Sequence, residues 1–290
     1  MAKKKKDENN KFITIIILIF LILISAFLYA RYVGTKGLVV KDYNVKSKEI
    51  PSNFNGIKIL HISDLNYGNT TFMKDVKYLT KKVNEIKPDL IVFTGDLIGE
   101  SYKLKKDDEK KLINYFNSMD NTLGKYAVLG DEDKKLSTII LNASNFIILN
   151  NSYDLIYNKG LTPIFLGGTE DSIKSTMDLN KIYSYYKKER KNVYDAKYKI
   201  ILTHEGDNAS EIIRFDKDTN LILAGHSHNG NIIIPSYGGL LMKDGSKKYG
   251  EHHYNISGTE IFVSSGIGTS EVSYRLFNKP SINLYRLKSE

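Results

Sequence analysis

The sequence predicts an α/β fold built on a central sheet and preceded by one N-terminal transmembrane helix. From residue 57 onward, short apolar runs alternate with helical stretches, which is the order expected of βαβ units. The apolar runs are continuous, which indicates strands with both faces covered. Ahead of them, residues 12–30 contain no charge and are long enough to form a membrane-spanning helix.

The uncharged run at residues 12–30 is predicted to be an uncleaved anchor. A cleaved signal peptide is the alternative, but the run exceeds the usual apolar region of about 7–15 residues, and Leu28 stands where a small residue is expected. Lysines are concentrated before the run, so residues 1–11 are expected to be a cytoplasmic basic tail. The sequence therefore predicts a single-pass protein of the cell membrane whose C-terminal domain is extracytoplasmic.

Residues 31–56 are expected to form a juxtamembrane link with an edge strand at 37–40. No Pro-, Gly- or Ser-rich linker interrupts residues 57–290, so we expect these residues to form one domain. The strands predicted within it cover residues 57–63, 90–94, 126–129, 146–149, 164–166, 199–203, 221–224, 232–234, 261–263 and 282–287.

Helices are predicted at residues 73–86, 107–119 and 171–195. In the first, apolar residues recur at three- and four-residue steps and form one face. The last contains a tyrosine cluster at Tyr183, Tyr185 and Tyr186, for which packing is the default interpretation.

The composition is that of a globular protein, with 41% hydrophobic and 26% charged residues among 290. There is no cysteine, which excludes disulfides, cysteine-ligated zinc and thiol nucleophiles. The formal charge of +9 suits nucleic acid, an anionic membrane or phosphate-bearing substrates, and a lysine-rich solvated surface explains it as well. No basic stripe is interleaved with aromatic residues, so we expect no nucleic-acid partner.

Carboxylate, amide and imidazole side chains directly follow five of the predicted strands. They are Asp64 and Asn66, Asp96, the run Asp131, Glu132 and Asp133, then His204, and finally His226 and His228. At the C-terminal ends of parallel strands such residues would meet on one rim of the sheet. A single aspartate there is commonly a turn or cap residue. Five such strand ends are harder to assign to capping, and bound divalent cations would neutralise the acids.

His226 and His228 would point apart on a regular strand, because side chains alternate between its faces. They converge only if the chain turns between them. Gly225 before the pair and Asn229-Gly230 after it favour such a turn.

These residues resemble the ordered motifs of calcineurin-like metallophosphoesterases from about residue 57 to the end. The chain is most similar to the membrane-anchored bacterial branch, which is similar to UDP-diacylglucosamine pyrophosphatases. The matching stretches are Ser63-Asp-Leu-Asn-Tyr-Gly68, Phe93-Thr-Gly-Asp-Leu97, Thr203-His-Glu205, Ala224-Gly-His-Ser-His-Asn-Gly230 and Ser264-Ser-Gly-Ile-Gly-Thr269.

The resemblance implies a four-layer α/β/β/α sandwich with two adjacent divalent metal ions at the strand ends. It further implies in-line attack on phosphorus by a metal-bridging hydroxide. The metal ligands it implies are Asp64, Asp96 and His228 for the first ion and Asp96, Asp131, His204 and His226 for the second, with Asp96 bridging.

The chain departs from the family pattern at two places. Asn66 replaces the histidine of Asp-x-His, although its amide oxygen can still ligate a metal, and Asp131-Glu132 replace Asn-His. An oxygen-rich ligand set favours Mn²⁺, with Mg²⁺, Fe and Zn²⁺ as alternatives.

We assign catalysis to Glu132 and Asp133. Beside two dications the pKa of Glu132 should be depressed, which would make it a poor general acid and repel phosphate. Loss of one acid–base catalyst typically costs ~10²–10⁴-fold in rate.

The leading hypothesis is an outward-facing, membrane-anchored hydrolase of a phosphoester or pyrophosphate, acting on a phosphorylated small molecule or lipid. A catalytically degenerate binding or scaffold domain is the alternative, and Asn66 and Glu132 favour it. A nuclease is disfavoured by the outward anchor.

Among other polar residues, His61 is expected in the core and His252-His253 in an exposed loop. Asn69, Asn229 and Arg275 are candidate phosphate contacts, and surface or fold-closing roles explain them as well.

Overall fold

Two six-stranded sheets pack face to face, with helices on both outer faces. The computed structural model describes residues 2–183, 196–270 and 272–290. The helices are α1 (Ala2–Tyr32), α2 (Met73–Ile86), α3 (Lys106–Asn117), α4 (Lys135–Ala143) and α5 (Ala209–Phe215). The strands are β1 (Val39–Ser47), β2 (Lys58–Ile62), β3 (Leu90–Thr94), β4 (Lys125–Val128), β5 (Phe146–Ile148), β6 (Ser152–Ile156), β7 (Ile164–Gly168), β8 (Lys199–Leu202), β9 (Leu221–Ala224), β10 (Ile233–Ile234), β11 (Gly238–Gly239), β12 (His253–Ile256), β13 (Thr259–Val263) and β14 (Ser281–Ser289). The predicted α/β/β/α sandwich is confirmed.

The first sheet has the order β1-β14-β2-β3-β4-β5, in which β2 to β5 are parallel. At its edge, β1 pairs in parallel with β14 from Val39–Ser281 to Ser47–Ser289. The edge strand is thus longer than the predicted segment 37–40. Its pairing makes residues before 57 part of the sheet.

The second sheet has the order β12-β13-β9-β8-β7-β6, with β7, β8, β9 and β13 parallel. The outer strands β6 and β12 are antiparallel to their neighbours, and the sequence pattern did not predict them. Their residues are half-buried or exposed, apart from Ile156, so they lack the continuous apolar run of the inner strands.

Apolar side chains fill three interfaces. Between the sheets, the buried set includes Ile59, Leu90, Val92, Val128, Leu166, Ile200, Leu202 and Leu223. Alternate residues of the same strands, such as Leu60 and Ile201, face the helices instead. In α2 the predicted face, with Val76, Leu79 and Val83, is buried against the first sheet. Because both faces of each inner strand are covered, the strands are mostly apolar, with His61, Lys125 and Lys199 among the exceptions.

Tyr183 packs in the core of the second sheet. Its ring stacks on Phe165 and Phe215, and its hydroxyl lies 3.1 Å from Thr219 Oγ1. The helix predicted at residues 171–195 was wrong for residues 171–178, which are not helical, whereas residues 179–183 are. Residues 184–195, including Tyr185 and Tyr186, lie outside the described residues.

Helix α1 is long and apolar enough to cross a membrane over Asn9–Tyr32, and its side chains there are mostly exposed. Its C-terminal end contacts a loop of the domain. Arg275 N donates to Ala30 O at 2.9 Å, and Arg31 Nη1 donates to Ser273 O at 3.2 Å. The loop at residues 273–278 therefore lies against the end of the helix.

Candidate metal centre

The C-terminal ends of five parallel strands bring the seven predicted ligands and Glu132 to one rim between the two sheets, and Asp133 lies behind it. Asp64 and Asn66 follow β2, Asp96 follows β3, Asp131, Glu132 and Asp133 follow β4, His204 follows β8, and His226 and His228 follow β9. Asp131 retains 14% side-chain exposure, and the other six predicted ligands are 2% exposed or less. The rim is therefore a buried polar cluster.

Five of these residues have left-handed backbone conformations, which are uncommon for residues other than glycine. Their φ angles are 48° at Asp64, 40° at Asn66, 59° at Asp96, 65° at His226 and 46° at His228. The two turns at His226 and His228 allow both imidazoles to face the rim. Close approach also requires glycine, since a Cβ on Gly225 would lie 2.7 Å from Asp64 Oδ2. Strained backbone of this kind persists where the surrounding structure enforces it, commonly at functional sites.

Asp96, Asp131, His204 and His226 form the tightest group, with one potential ligand atom from each within 4.8 Å of all the others. His204 Nε2 lies 3.5 Å from Asp96 Oδ1 and 3.3 Å from Asp131 Oδ1. His226 Nδ1 lies 3.2 Å from the same Asp131 oxygen. Burial disfavours a charged imidazole, but Asp96 and Asp131 outweigh it and hold the pKa of His204 well above its usual range. The group thus favours a positive charge at its centre.

Backbone carbonyls orient both imidazoles of this group. His204 Nδ1 donates to Thr94 O at 2.7 Å, and His226 Nε2 donates to Asp244 O at 2.8 Å. Because a carbonyl only accepts, each of these nitrogens holds a proton, which leaves the opposite nitrogen of a neutral ring free to ligate a metal. Metal-binding histidines are usually oriented in this way.

Asp64, Asn66 and His228 form the other half of the rim. The Asp64 carboxylate accepts from His226 N, and its Oδ1 lies 3.9 Å from His228 Nε2. Burial, reinforced by Asp96, raises the pKa of Asp64. Arg275 Nη2 lies 3.2 Å from His228 Nδ1, but its two hydrogens are closer to the carbonyls of Ser265 and Gly268, so this contact does not determine the imidazole tautomer.

Four buried atoms of the rim have no hydrogen-bond partner among the described residues. They are Asn66 Oδ1, Asp96 Oδ2, Asp131 Oδ1 and His228 Nε2. Leaving a buried polar atom unpaired costs about 1–3 kcal/mol, so such atoms are rare unless something else satisfies them. All four atoms are predicted metal ligands, and a mixed carboxylate, amide and imidazole set suits a divalent cation. The residues present therefore fit bound divalent metal ions.

Glu132 is held by neighbours on both carboxylate oxygens. Its Oε2 accepts from Asn66 Nδ2 at 3.0 Å and from Glu100 N at 3.3 Å, while Oε1 lies 3.9 Å from Lys243 Nζ. Burial, reinforced by Asp96, raises the pKa of Glu132 to about 7 in the metal-free chain, and Lys243 opposes the rise. Bound dications would act in the opposite direction and lower this pKa.

Asp133 lies behind the rim and bonds to backbone amides. Its Oδ2 accepts from Asp96 N at 2.9 Å and Gly130 N at 3.0 Å, and its Oδ1 accepts from Leu97 N at 2.9 Å. These bonds join the loop after β3 to the loop after β4. Asp133 therefore holds Asp96 in place.

Two lysines near the acids were not identified from the sequence. Lys174 Nζ lies 3.8 Å from Asp131 Oδ2 and donates to Asp131 O at 2.8 Å, and Lys243 lies beside Glu132. Both lie in loops of the second sheet, and no motif or periodicity marks them. They place positive charge on the open side of an otherwise acidic rim.

The other polar residues are mostly engaged in structural bonds. His61 is buried, as predicted, and bonds to Thr94 Oγ1. Asn69 is half-buried and donates to the carbonyls of Thr269 and Ser270, and Arg275 is fully buried among backbone carbonyls, so both hold loops together, which agrees with the fold-closing alternative. The expectation of an exposed His252-His253 pair was wrong for His252, which lies half-buried within hydrogen-bond distance of Lys41 and Asn229.

The fold and rim together define the class of protein: a phosphoesterase-type α/β/β/α sandwich with an Asp/His cluster suited to divalent metals. The chain belongs to the calcineurin-like phosphoesterase family, whose family model matches residues 57–230. It is 30% identical over 268 residues to the uncharacterized metallophosphoesterase YkuE of Bacillus subtilis, covering 90% of this chain and 89% of that one.

Two further relatives have informative names. The UDP-2,3-diacylglucosamine pyrophosphatase LpxG of Chlamydia muridarum is 24% identical over 232 residues, covering 63% of this chain and 67% of LpxG. A transmembrane protein with metallophosphoesterase domain from Danio rerio is 23% identical over 259 residues, covering 86% of this chain and 57% of that one.

Proposed function

We propose that the chain is a membrane-anchored, outward-facing hydrolase that cleaves a phosphoester or pyrophosphate with the help of two divalent cations. The observation that carries this proposal is the buried group of Asp96, Asp131, His204 and His226, whose ligand atoms lie within 4.8 Å of one another. The unpaired buried atoms of the rim support it, as does membership of the phosphoesterase family.

In this proposal Asp96, Asp131, His204 and His226 hold one cation, and Asp64, Asn66, Asp96 and His228 hold the other. Asp96 belongs to both sets, consistent with its central place on the rim. Mn²⁺ is favoured because oxygen ligands predominate. When bound, the cations supply Lewis-acid stabilisation of charge on the phosphoryl oxygens and activate water for attack.

Of the two carboxylates assigned to catalysis, Glu132 is the one placed on the rim. Asp133 acts through its bonds to the Asp96 and Leu97 amides, so we propose that it positions the metal ligands. Lys243 offsets the charge of Glu132, and Lys174 offsets that of Asp131. This compensation reduces the repulsion that Glu132 would otherwise exert on a phosphate group.

We further propose that the N-terminal tail is cytoplasmic and that the domain lies outside the membrane. The support is the cluster of Lys3, Lys4, Lys5 and Lys6 before the apolar helix. The substrate would then be a phosphorylated small molecule or lipid at the outer surface. Similarity to LpxG, which is named for a lipid-linked pyrophosphate substrate, supports a lipid.

The second candidate function is a degenerate domain that binds a ligand without hydrolysing it. The observation that favours it is the contact between Asn66 and Glu132, the two positions that differ from the family pattern. In this case the rim would retain a structural or binding role.

Metal analysis and hydrolysis assays of the full-length chain in detergent distinguish the two functions. We expect close to two Mn²⁺ per chain and hydrolysis of bis-p-nitrophenyl phosphate or of a nucleoside-diphosphate-linked lipid. Asp96→Ala should abolish both, whereas Asp218→Ala, at a site with 82% side-chain exposure, should abolish neither. Absence of metal and activity, even in an Asn66→His/Glu132→His variant, would contradict hydrolysis.

A further inference from the structure

A cavity of about 400 Å³ lies where helix α1 joins the domain, and no step of the proposed reaction uses it. Tyr29 and Gly34 form its helix side, while Lys41, His252 and Lys279 line its domain side. Lys41 comes from the edge strand β1, and Lys279 directly precedes Pro280 and β14. The cavity thus combines the end of the apolar helix with basic side chains of the sheet.

The basic groups of this cavity lack acidic partners. Within the described residues, neither Lys41 nor Lys279 forms an ion pair, and none of the lining residues is a carboxylate. Lys41 Nζ instead lies 3.0 Å from His252 Nδ1. Burial lowers the pKa of Lys41 to about 8, and the nearby charge of Arg275 contributes. Lys279 is exposed, but Lys41 is half-buried and lacks the acidic partner that a buried charge normally has, so an anion in the cavity would be stabilised there.

The position of the cavity indicates which anion is available. The apolar segment Asn9–Tyr32 has 24 residues and is about 36 Å long as a helix, slightly more than the hydrocarbon core of a bilayer. If α1 spans the membrane, Tyr29 and Gly34 lie at its headgroup level, where tyrosine is commonly enriched. The phosphates of membrane lipids occupy the same level.

Exposed apolar side chains lie on the same side of the domain. Phe277 lines the cavity and is 70% exposed, with a left-handed φ of 54° that is strained for an aromatic residue. The hairpin formed by β10 and β11 is joined to this loop, since Ile233 N donates to Leu276 O at 3.0 Å, and it exposes 76% of Tyr237. Aromatic residues exposed beside the end of a membrane helix are typical of contact with the lipid interface.

We infer that this cavity binds the phosphate group of an anionic membrane lipid, with Lys41 and Lys279 as the charged contacts. The cavity offers the two kinds of surface that a phospholipid requires. Its basic side chains can contact the phosphate group, and Phe277 and Val39, which also line it, offer exposed apolar surface. The site is distinct from the metal centre. None of the residues that line the cavity is a predicted metal ligand. The two sites adjoin, because Asn278 lines the cavity and its Nδ2 donates to His228 O at 2.6 Å.

The test uses the full-length chain in a neutral detergent with EDTA, so that hydrolysis at the metal centre plays no part. Phe277→Trp provides a fluorescent reporter at the cavity, and it is unique because the natural chain contains no tryptophan. Short-chain phosphatidylglycerol, phosphatidylcholine and inorganic phosphate are titrated separately. We expect a saturable emission shift with phosphatidylglycerol at a concentration at least tenfold lower than with the other two.

Charge variants then assign the site. Lys41→Gln/Lys279→Gln should weaken phosphatidylglycerol binding at least tenfold, whereas Lys46→Gln, an exposed lysine on the same strand, should leave it unchanged. Lys279→Gln alone should weaken binding without affecting folding, because this side chain is exposed. If inorganic phosphate bound as tightly as phosphatidylglycerol, the proposal that the phosphate group belongs to a lipid would be overturned. No saturable shift, or binding unchanged in the charge variants, would overturn the site itself.

Discussion

Asn66 Nδ2 donates a hydrogen bond of 3.0 Å to Glu132 Oε2, so the two residues at which the chain departs from the family motifs contact each other. The bond occupies one Glu132 oxygen and leaves Asn66 Oδ1 unpaired in a fully buried position. A histidine at position 66 would lack the amide that now bonds the carboxylate. The two departures therefore form a structural pair, in which each residue suits the other.

The pairing predicts non-additive effects on stability. Asn66→Leu and Glu132→Met each leave a buried polar partner unsatisfied, at a cost of about 1–3 kcal/mol, whereas the double variant removes both partners. Their coupling in the unfolding free energy of the metal-free chain should therefore be roughly 0.5–3 kcal/mol. A control cycle pairs Glu132→Met with Asn121→Leu, because Asn121 lies before β4 at the opposite end of the strands. Additive effects in the first cycle would contradict the pairing.

The bonds of Asp133 to backbone amides predict that its substitution weakens metal binding. Asp133→Asn replaces one carboxylate oxygen, which accepts backbone N–H bonds, with an NH₂ group that cannot accept them, and this should loosen the Asp96 loop. We expect Mn²⁺ affinity to fall by ~10–100-fold, as is typical when partners of metal ligands are lost. Titration calorimetry measures this change, and the exposed Asp218→Asn serves as the control. Unchanged affinity would show that Asp133 does not position the ligands.

Metal binding should stabilise the fold. Mn²⁺ at about 1,000 times its Kd should add about 4 kcal/mol, because only the folded chain brings the rim together. Thermal unfolding followed by circular dichroism should therefore shift upward with Mn²⁺ and return with EDTA. In His204→Ala the shift should be reduced. An unfolding temperature that does not change when Mn²⁺ is added would contradict a metal site on the rim.

Lys243 should act mainly on substrate binding. Lys243→Gln leaves Glu132 without its positive neighbour, so an anionic substrate should bind more weakly, and we expect KM to rise by about tenfold with a smaller change in kcat. The control is Lys247→Gln, a lysine with 68% side-chain exposure in the same loop. A fall in kcat alone would indicate a different role for Lys243.

The pKa of Lys41 predicts a pH dependence of stability. Burial lowers this pKa to about 8 in the folded chain from 10.5 in the unfolded chain. Between these values the unfolded chain binds more protons, so stability should rise as pH increases from about 8 to about 10.5. Lys41→Met should be more stable than the natural chain at pH 7 and should reduce the rise, whereas Lys46→Met should do neither. Denaturant unfolding in neutral detergent at pH 7 and pH 10 measures both effects.

Local patterns determined much of this protein. Continuous apolar runs marked the inner strands of both sheets, because each such strand is buried on two faces within its own few residues. The polar residues that follow those runs identified all seven candidate ligands, since the C-terminal ends of parallel strands share one rim. The apolar segment at residues 12–30 likewise predicted a helix that can span a membrane.

Tertiary structure alone decided which distant residues meet. The Asn66–Glu132 bond joins positions 66 residues apart, and the Lys41–His252 contact joins positions 211 residues apart. Such contacts depend on how loops from different strands pack, and no local period encodes them. The sequence favoured a turn at His226 and His228, but it did not predict their left-handed φ angles, because histidine does not demand that conformation. Sequence therefore determined the residues of the rim, and packing decided their partners.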